Sequence, residues 1–192
     1  MDDDPLEPSD SAPVDSASVD PAATTPGTEP PLRPVGDDVE LLQFAESLEL
    51  TARDLYQAAI DAGAGAGDTA DVFMTLLEDH EEYANAFSGL LGVDGARNRD
   101  DAVFDELMPD FDTDDVTAAA TAGYDLESAA IATHLDLLGR LRGVEGAKKI
   151  AALLVVEARH ATVLAHLAGH GGDWDALLGN DAESLAPAGG GS

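Results

Sequence analysis

Apolar residues recur every three or four positions along most of the chain, which is the spacing of one face of an α-helix. Glycine-rich or polar breaks separate four such stretches, and no stretch alternates between apolar and polar residues as a strand would. The pattern therefore predicts an all-α domain with four long helices, at residues 38–62, 69–91, 114–142 and 145–169.

The connections between these helices predict how the helices are arranged. Residues 63–67 and 143–146 are short links that contain glycine, so helices one and two form one antiparallel hairpin and helices three and four form another. The link at 93–113 is long enough to run the length of the bundle, even with a short helix near residues 100–107. We expect Pro109 to terminate this short helix. We expect an up-down-down-up four-helix bundle with one long crossover between helices two and three.

The composition changes at both ends of the chain. Residues 1–36 contain eight of the ten prolines and eight acidic residues, against a single base at Arg33. Such a segment buries too little apolar surface to offset the entropy lost on ordering, so we expect a disordered acidic tail. We expect the bundle to occupy residues 37–175, and a flexible tail that closes with APAGGGS to occupy residues 176–192.

The chain is strongly acidic, with 39 Asp and Glu residues against nine Lys and Arg residues and a net charge of −30. A field of this sign repels nucleic acid and anionic membrane surfaces, and it attracts cations. Cysteine is absent, which excludes disulfides, thiolate metal sites and cysteine catalysis. No run of 18 apolar residues predicts a membrane span.

The beginning of the chain, MDDDPLEPSD, has neither the basic nor the apolar segment of a signal peptide. Two localisations stay open. The chain is either the mature part of an exported or cell-envelope-attached protein whose signal has been removed, or a cytoplasmic protein. No pattern in the sequence identifies an oligomer interface.

Ionisable residues interrupt the apolar face of each helix close to its middle. Burying such groups without partners is costly, so their position needs a chemical reason. Mid-helix positions of antiparallel helices of matched length come to the same level, and these side chains should therefore converge inside the bundle. The candidate metal ligands are Glu49, His80, Glu127, Glu157 and His160.

The strongest single motif is EARH at residues 157–160 of helix four. Glu and His three residues apart share one helical face, so both side chains can reach one metal ion. Alone, this spacing is common by chance. With carboxylates at matching depth on the other helices, it becomes a moderately specific signal of a metal site inside a bundle.

Two further residues are expected to support the ligands. Tyr83 is expected to donate a hydrogen bond to a ligating carboxylate, and His134 is a candidate additional or supporting group. Because His134 lies one heptad beyond Glu127, about 10 Å along the helix axis, we do not expect these two residues to share a metal ion directly.

Each candidate also has an explanation without metal, which the sequence leaves open. In these alternatives the side chain is satisfied by a neighbouring polar group instead. The alternative pairs are Glu157 with His160, His80 with Tyr83, Glu49 with Arg53, and Glu127 with Tyr124 or His134.

These residues together resemble those of ferritin-like domain proteins, in particular the stand-alone bacterial ones related to ferritins and rubrerythrins. The first helix, LLQFAESLELTARDLYQAA, is similar to the opening helix of that family in Phe44-Ala45, Leu48-Glu49 and Tyr56. Glu127 and the Glu-x-x-His of helix four match as well, and the resemblance covers about residues 37–170. It implies a pair of iron or manganese ions, often used to oxidise ferrous ion with oxygen or peroxide.

Helix two departs from the family pattern, which has Glu followed by His three residues on. This chain has His80 and Tyr83 there, so three inward carboxylates instead of four remain to balance two divalent ions. The leading hypothesis is a metal-binding protein with one or two iron ions, with manganese and zinc as alternatives, that oxidises ferrous ion or consumes peroxide. The other hypothesis is a degenerate, non-catalytic bundle that acts as a binding or scaffold module.

Overall fold

The computed structural model describes residues 29–65 and 67–186, without the side chain of residue 68. Within these ranges the chain is helical and has no strand, as the sequence predicts. The helices are α1 Asp38–Ala62, α2 Ala70–Leu91, α3 Asp101–Phe111, α4 Val116–Arg140, α5 Val144–Ala165 and α6 Trp174–Leu178. Short 3₁₀ turns lie at Gly67–Thr69 and Gly92–Asp94, and a π-helical turn at His166–His170 follows α5.

The predicted four-helix bundle is confirmed. Helix α1 packs along α2 and α4 packs along α5, and the short turn within each pair makes the pair antiparallel. The longer connection between α2 and α4 carries α3, which packs against α1 and α4. The two hairpins meet where α1 contacts α4 and where α2 contacts α5, which brings the middle of all four long helices to one level.

Helix α3 corrects one prediction, because it runs through Pro109 and ends at Phe111. Proline lacks the N–H that would bond to the carbonyl of residue 105, but that position is exposed and its carbonyl can bond to water. The extra turn buries Phe111, whose ring packs edge-on against Tyr56 with 5.7 Å between ring centroids. The apolar contact of Phe111 therefore favours continuing the helix past the proline.

The chain before α1 holds the beginning of α5, which has no side-chain cap. The N–H groups of Val144 and Glu145 donate to the carbonyls of Pro31 and Leu32, both at 2.9 Å. The buried carboxylate of Asp38 accepts hydrogen bonds from the backbone N–H groups of Val35, Arg142 and Gly143. These bonds fix the turn between α4 and α5 to the start of α1.

Residues 1–28 and 187–192 make up most of the two predicted tails and lie outside the described residues, so the predictions for them stay predictions. The described part that follows α6 contacts the bundle. Asn180 donates a side-chain hydrogen bond to the Ser128 carbonyl, and the N–H of Leu185 donates to the Thr133 hydroxyl.

The core consists of two apolar clusters, one toward each end of the bundle. Each cluster takes residues from α1, α2, α4 and α5, and between them lies a layer of buried ionisable side chains. The first cluster includes Leu55, Tyr56, Phe73, Phe111, Leu126 and Leu164, and the second includes Leu41, Leu42, Phe87, Leu137, Ile150 and Leu153.

One stretch of the described chain, Val144–His170, is long and apolar enough to cross a membrane by length and composition. The core helices of soluble proteins pass the same test. Here the inward positions of the stretch, which include Leu153 and Leu164, are buried against the other helices of the bundle.

Candidate metal centre

Six ionisable side chains meet in the polar layer between the two apolar clusters. All six are at most 7% exposed, and they come from α1, α2, α4 and α5. They are Glu49, His80, Glu127, His134, Glu157 and His160. The structure thus brings together all five ligands predicted from the sequence, and it adds His134 to them.

The six side chains divide into two groups. The Glu127 group consists of Glu127, His80 and His160, and the Glu49 group consists of Glu49, His134 and Glu157. Within each group, one ligand atom from each residue lies within 4.8 Å of the other two. Each group is therefore compact enough to hold one metal ion.

His80 joins the two groups. Its Nδ1 lies 2.8 Å from Oε2 of Glu49, and its Nε2 lies 3.0 Å from Oε1 of Glu127. Ionised carboxylate oxygens only accept hydrogen bonds, so both ring nitrogens carry a proton and the ring is positively charged. Burial opposes this charge, but the carboxylates of Glu127 and Glu49 outweigh burial and raise the pKa of His80 well above its ordinary value.

Glu127 is the most heavily bonded carboxylate of the layer. Its Oε1 accepts a hydrogen bond of 2.7 Å from the Tyr56 hydroxyl and also accepts from His80. Burial alone would raise the pKa of Glu127, but the charges of His80 and His160 and the hydrogen bond from His80 lower it well below its ordinary value. Glu127 is therefore ionised at neutral pH.

Tyr56 reaches this carboxylate because α4 has no side chain at Gly123, one turn before Glu127. A Cβ at Gly123 would lie 3.2 Å from the Tyr56 hydroxyl oxygen. The Tyr56 ring also stacks on the imidazole of His80, with 5.5 Å between ring centroids. Tyr56 thus orients both a carboxylate and an imidazole of the Glu127 group.

In the Glu49 group, His134 pairs with Glu157. Nδ1 of His134 lies 2.9 and 3.1 Å from the two oxygens of Glu157, and its Nε2 lies 3.4 Å from Oε1 of Glu49. Burial lowers the pKa of His134, but Glu157 and Glu49 raise it above its ordinary value. Burial raises the pKa of Glu157 more than His134 lowers it.

The axial distance between Glu127 and His134 does separate them into different groups. His134 nevertheless enters the layer through Glu157, because α4 and α5 are antiparallel. Side chains lean toward the N-terminus of their own helix, so His134 and Glu157 lean toward each other. The sequence prediction missed this contact because it considered only the distance between His134 and Glu127 along one helix.

Four buried atoms of the layer have no hydrogen-bond partner among the described residues. Each group contains two of them, one carboxylate oxygen and one imidazole nitrogen. In the Glu127 group they are Glu127 Oε2 and His160 Nδ1, and in the Glu49 group they are Glu49 Oε1 and His134 Nε2. Carboxylate oxygen and imidazole nitrogen are ligands of iron, manganese and zinc, so both groups fit a divalent metal ion.

The metal-free pairs that the sequence left open do not form. Among the described residues, Arg53 pairs with Asp54 instead of Glu49, and the Tyr124 hydroxyl donates to the Ala176 carbonyl instead of Glu127. Glu157 pairs with His134 and not with His160. The charged residues of the layer are therefore partnered with one another.

Tyr83 does not make the hydrogen bond predicted for it. Its side chain is half-buried beside the second apolar cluster, and its hydroxyl has no hydrogen-bond partner in the described chain. Tyr56 donates to Glu127 instead. The sequence singled out Tyr56 only through its resemblance to the opening helix of the family, which could not show that its hydroxyl extends to α4.

Asp79 was also missed, because it lies off the apolar face of α2. Its Oδ2 lies 3.0 Å from Nε2 of His160, and 34% of its side-chain surface is exposed. The only signal in the sequence was its position directly before His80. That signal is weak in a chain with so many acidic residues.

The contrast between the two tyrosines gives a test of the layer. We expect Tyr56→Phe to lower the free energy of unfolding by about 1–3 kcal/mol, because Glu127 loses a buried hydrogen bond to a charged acceptor. Tyr83→Phe, the matched control, should change it by less than about 0.5 kcal/mol. Urea unfolding of the metal-free variants measures both changes, and equal changes would contradict the assignment.

The raised histidine pKa values predict how the stability of the metal-free protein depends on pH. A group whose pKa is higher in the folded state stabilises that state fully below its unfolded pKa, near 6.5 for His, and loses the effect as pH rises through the folded pKa. Thermal unfolding followed from pH 6.5 to 9 should therefore show a falling Tm. One pKa unit corresponds to about 1.4 kcal/mol, which shifts Tm by roughly 3–6 °C at this size.

His80→Gln should flatten this fall, whereas replacement of the exposed His166 by Gln should leave it unchanged. The carboxylate with the lowered pKa, Glu127, acts in the opposite direction, and its contribution is lost as pH falls below about 4.5. A Tm that is constant or rises between pH 6.5 and 9 would contradict the charge state assigned to His80.

Comparison with known proteins agrees with the fold. The model of the ferritin-like domain family matches residues 37–170, which include α1 to α5 and every residue of the two groups. Neither a curated protein nor a solved structure shows significant similarity to the chain. The family match extends over more than half of the chain and coincides with the bundle, so the chain belongs to the ferritin-like domain family.

Proposed function

We propose that this protein binds iron in the two groups inside its bundle and oxidises ferrous ion with oxygen or peroxide. The pairing of unpartnered atoms carries the proposal, because each group presents one buried carboxylate oxygen and one buried imidazole nitrogen without a hydrogen bond among the described residues. Such an atom costs about 1–3 kcal/mol when it is left unsatisfied. One divalent ion in each group would give all four atoms a ligand bond.

The ligand types favour iron, manganese or zinc over the hard cations. Mg²⁺ and Ca²⁺ prefer oxygen ligands alone, whereas the two groups contain three imidazoles beside three carboxylates. Imidazole with carboxylate suits iron, manganese and zinc. Membership of the ferritin-like domain family then favours iron. Iron bound there would supply one-electron chemistry toward oxygen or peroxide.

The residues of the chain would contribute binding, orientation and proton release. Tyr56 fixes Glu127 through its hydrogen bond, and the apolar clusters on both sides of the layer restrict water. His80 must lose a proton before it ligates a metal, since its two nitrogens both donate to carboxylates. Iron binding should therefore release protons and strengthen as pH rises.

One observation favours a second candidate, a degenerate bundle that binds or supports a partner without catalysis. The charged His80 lies between Glu49 and Glu127 and already neutralises part of their charge. In that case the imidazolium would take the electrostatic place of a metal ion. The two candidates differ in whether a metal displaces the proton of His80.

Anaerobic titration of the chelator-treated protein with Fe²⁺ distinguishes these candidates. We expect up to two tightly bound ions, with His160→Ala and His134→Ala each losing one, because each removes the imidazole of one group. His166→Ala removes an exposed histidine and is the matched control. The titration is run with excess Mg²⁺, which saturates weak binding by the acidic surface.

Activity is then measured by adding oxygen or peroxide to the iron-loaded protein and recording the appearance of ferric ion. Oxidation should be faster than in protein-free solution and slower in His160→Ala and His134→Ala, with His166→Ala unchanged. If the wild-type protein binds no more Fe²⁺ than His160→Ala and His134→Ala do, the degenerate bundle is the better account. If the protein binds Fe²⁺ but does not accelerate its oxidation, the metal site is supported and the proposed activity is wrong.

A further inference from the structure

The two groups together hold three carboxylates, which leaves a charge imbalance if both bind a divalent ion. Three negative charges against four positive charges give a net charge of +1 in a layer that is at most 7% exposed. Burying an uncompensated charge is costly, so a further anion near the layer would stabilise the loaded state. Helix α2 has His80 where the family pattern predicts the missing carboxylate.

Asp79 supplies a carboxylate next to that position. Its Oδ2 lies 3.0 Å from Nε2 of His160, and its side chain is 34% exposed. Among the described residues, it is the only acidic side chain outside the two groups that lies within hydrogen-bonding distance of one of their members. With Asp79 included, four carboxylates balance two divalent ions.

The contact also determines which nitrogen of His160 faces the group. A carboxylate accepts a hydrogen bond, so Nε2 of His160 carries a proton and points toward Asp79. The other nitrogen, Nδ1, lies 3.5 Å from Oε1 of Glu127, is buried, and has no hydrogen-bond partner in the described part of the chain. Nδ1 is therefore the atom that His160 offers to an ion.

Within the described part of the chain, the Glu49 group has no equivalent of Asp79. The imidazole of His134 is held through its Nδ1 by Glu157, which is itself a candidate ligand of the same group. The members of both groups are buried, but the Glu127 group is connected through the partly exposed Asp79 to the surface between α2 and α5. The two groups are thus held in chemically different ways.

We propose that Asp79 is a positioning residue for the Glu127 group alone, which orients His160 through Nε2 and supplies the fourth negative charge that helix α2 otherwise lacks. The two ion sites are consequently inequivalent, and the one in the Glu127 group depends on a carboxylate that contacts solvent. This inference rests on the proposed metal binding.

Co²⁺ titration followed by visible absorption tests the inference, because bound Co²⁺ reports its own ligand environment. His160→Ala first identifies the ion of the Glu127 group, and His134→Ala identifies the ion of the Glu49 group. Asp79→Asn should lower the affinity for the ion that is lost in His160→Ala by about 10–100-fold, which is the usual effect of removing a carboxylate that holds a ligating histidine. It should leave the affinity of the other ion unchanged.

Two variants serve as controls. Glu81→Gln removes one negative charge from an exposed position of the same helix and should behave as the wild type. Asp79→Glu keeps the charge and the acceptor, so it should recover part of the lost affinity and of the Co²⁺ spectrum. Thermal unfolding of the metal-free variants checks that all of them are folded.

The outcomes separate this inference from the proposed function. The role of Asp79 would be overturned if Asp79→Asn kept the wild-type affinity for both ions, or if it lowered both affinities equally. Either result would leave the metal site in place. The role of Asp79 would also be overturned if Glu81→Gln lowered the affinity as much as Asp79→Asn does, since the effect would then be one of surface charge. If the wild-type protein binds no Co²⁺ in competition with Mg²⁺, both the metal site and the role of Asp79 are wrong.

Discussion

The structure depends on the burial of three carboxylates and three imidazoles in one layer between two apolar clusters. Charged groups in such a position are stable only as a mutually compensated set. The layer meets this condition with contacts that cross from helix to helix, from α2 to α1 and α4 through His80, and from α4 to α5 through His134. The same contacts that permit burial therefore also fix how the two hairpins face each other.

His80 has the central place in this arrangement, because it touches one carboxylate of each group. A metal ion bound in either group would compete with its proton for the same negative charge, so metal binding would change the protonation of the layer. On α2 the ionisable ring of His80 lies in the middle of the layer, and the carboxylate of Asp79 lies at its edge in contact with His160.

Much of this arrangement could be predicted from the sequence. The apolar spacing of Leu48, Leu55 and their neighbours predicted α1, and the mid-helix ionisable residues predicted five of the six side chains of the buried layer, because helical periodicity determines which side chains face inward. The contacts of Tyr56, His134 and Asp79 could not be predicted in the same way. They depend on the reach of a side chain across to another helix, on the absence of a side chain at Gly123, and on the antiparallel lean of α4 and α5.

The central claim is that each group holds one metal ion, and anomalous X-ray diffraction tests it most directly. Crystals grown with Mn²⁺ or Fe²⁺ and measured on both sides of the metal absorption edge locate each ion independently of any assumed ligand. The account predicts two anomalous peaks within the bundle, one contacted by His160 Nδ1 and Glu127, the other by His134 Nε2 and Glu49. Peaks confined to the acidic surface, with His80 still bonded to both carboxylates, would contradict it.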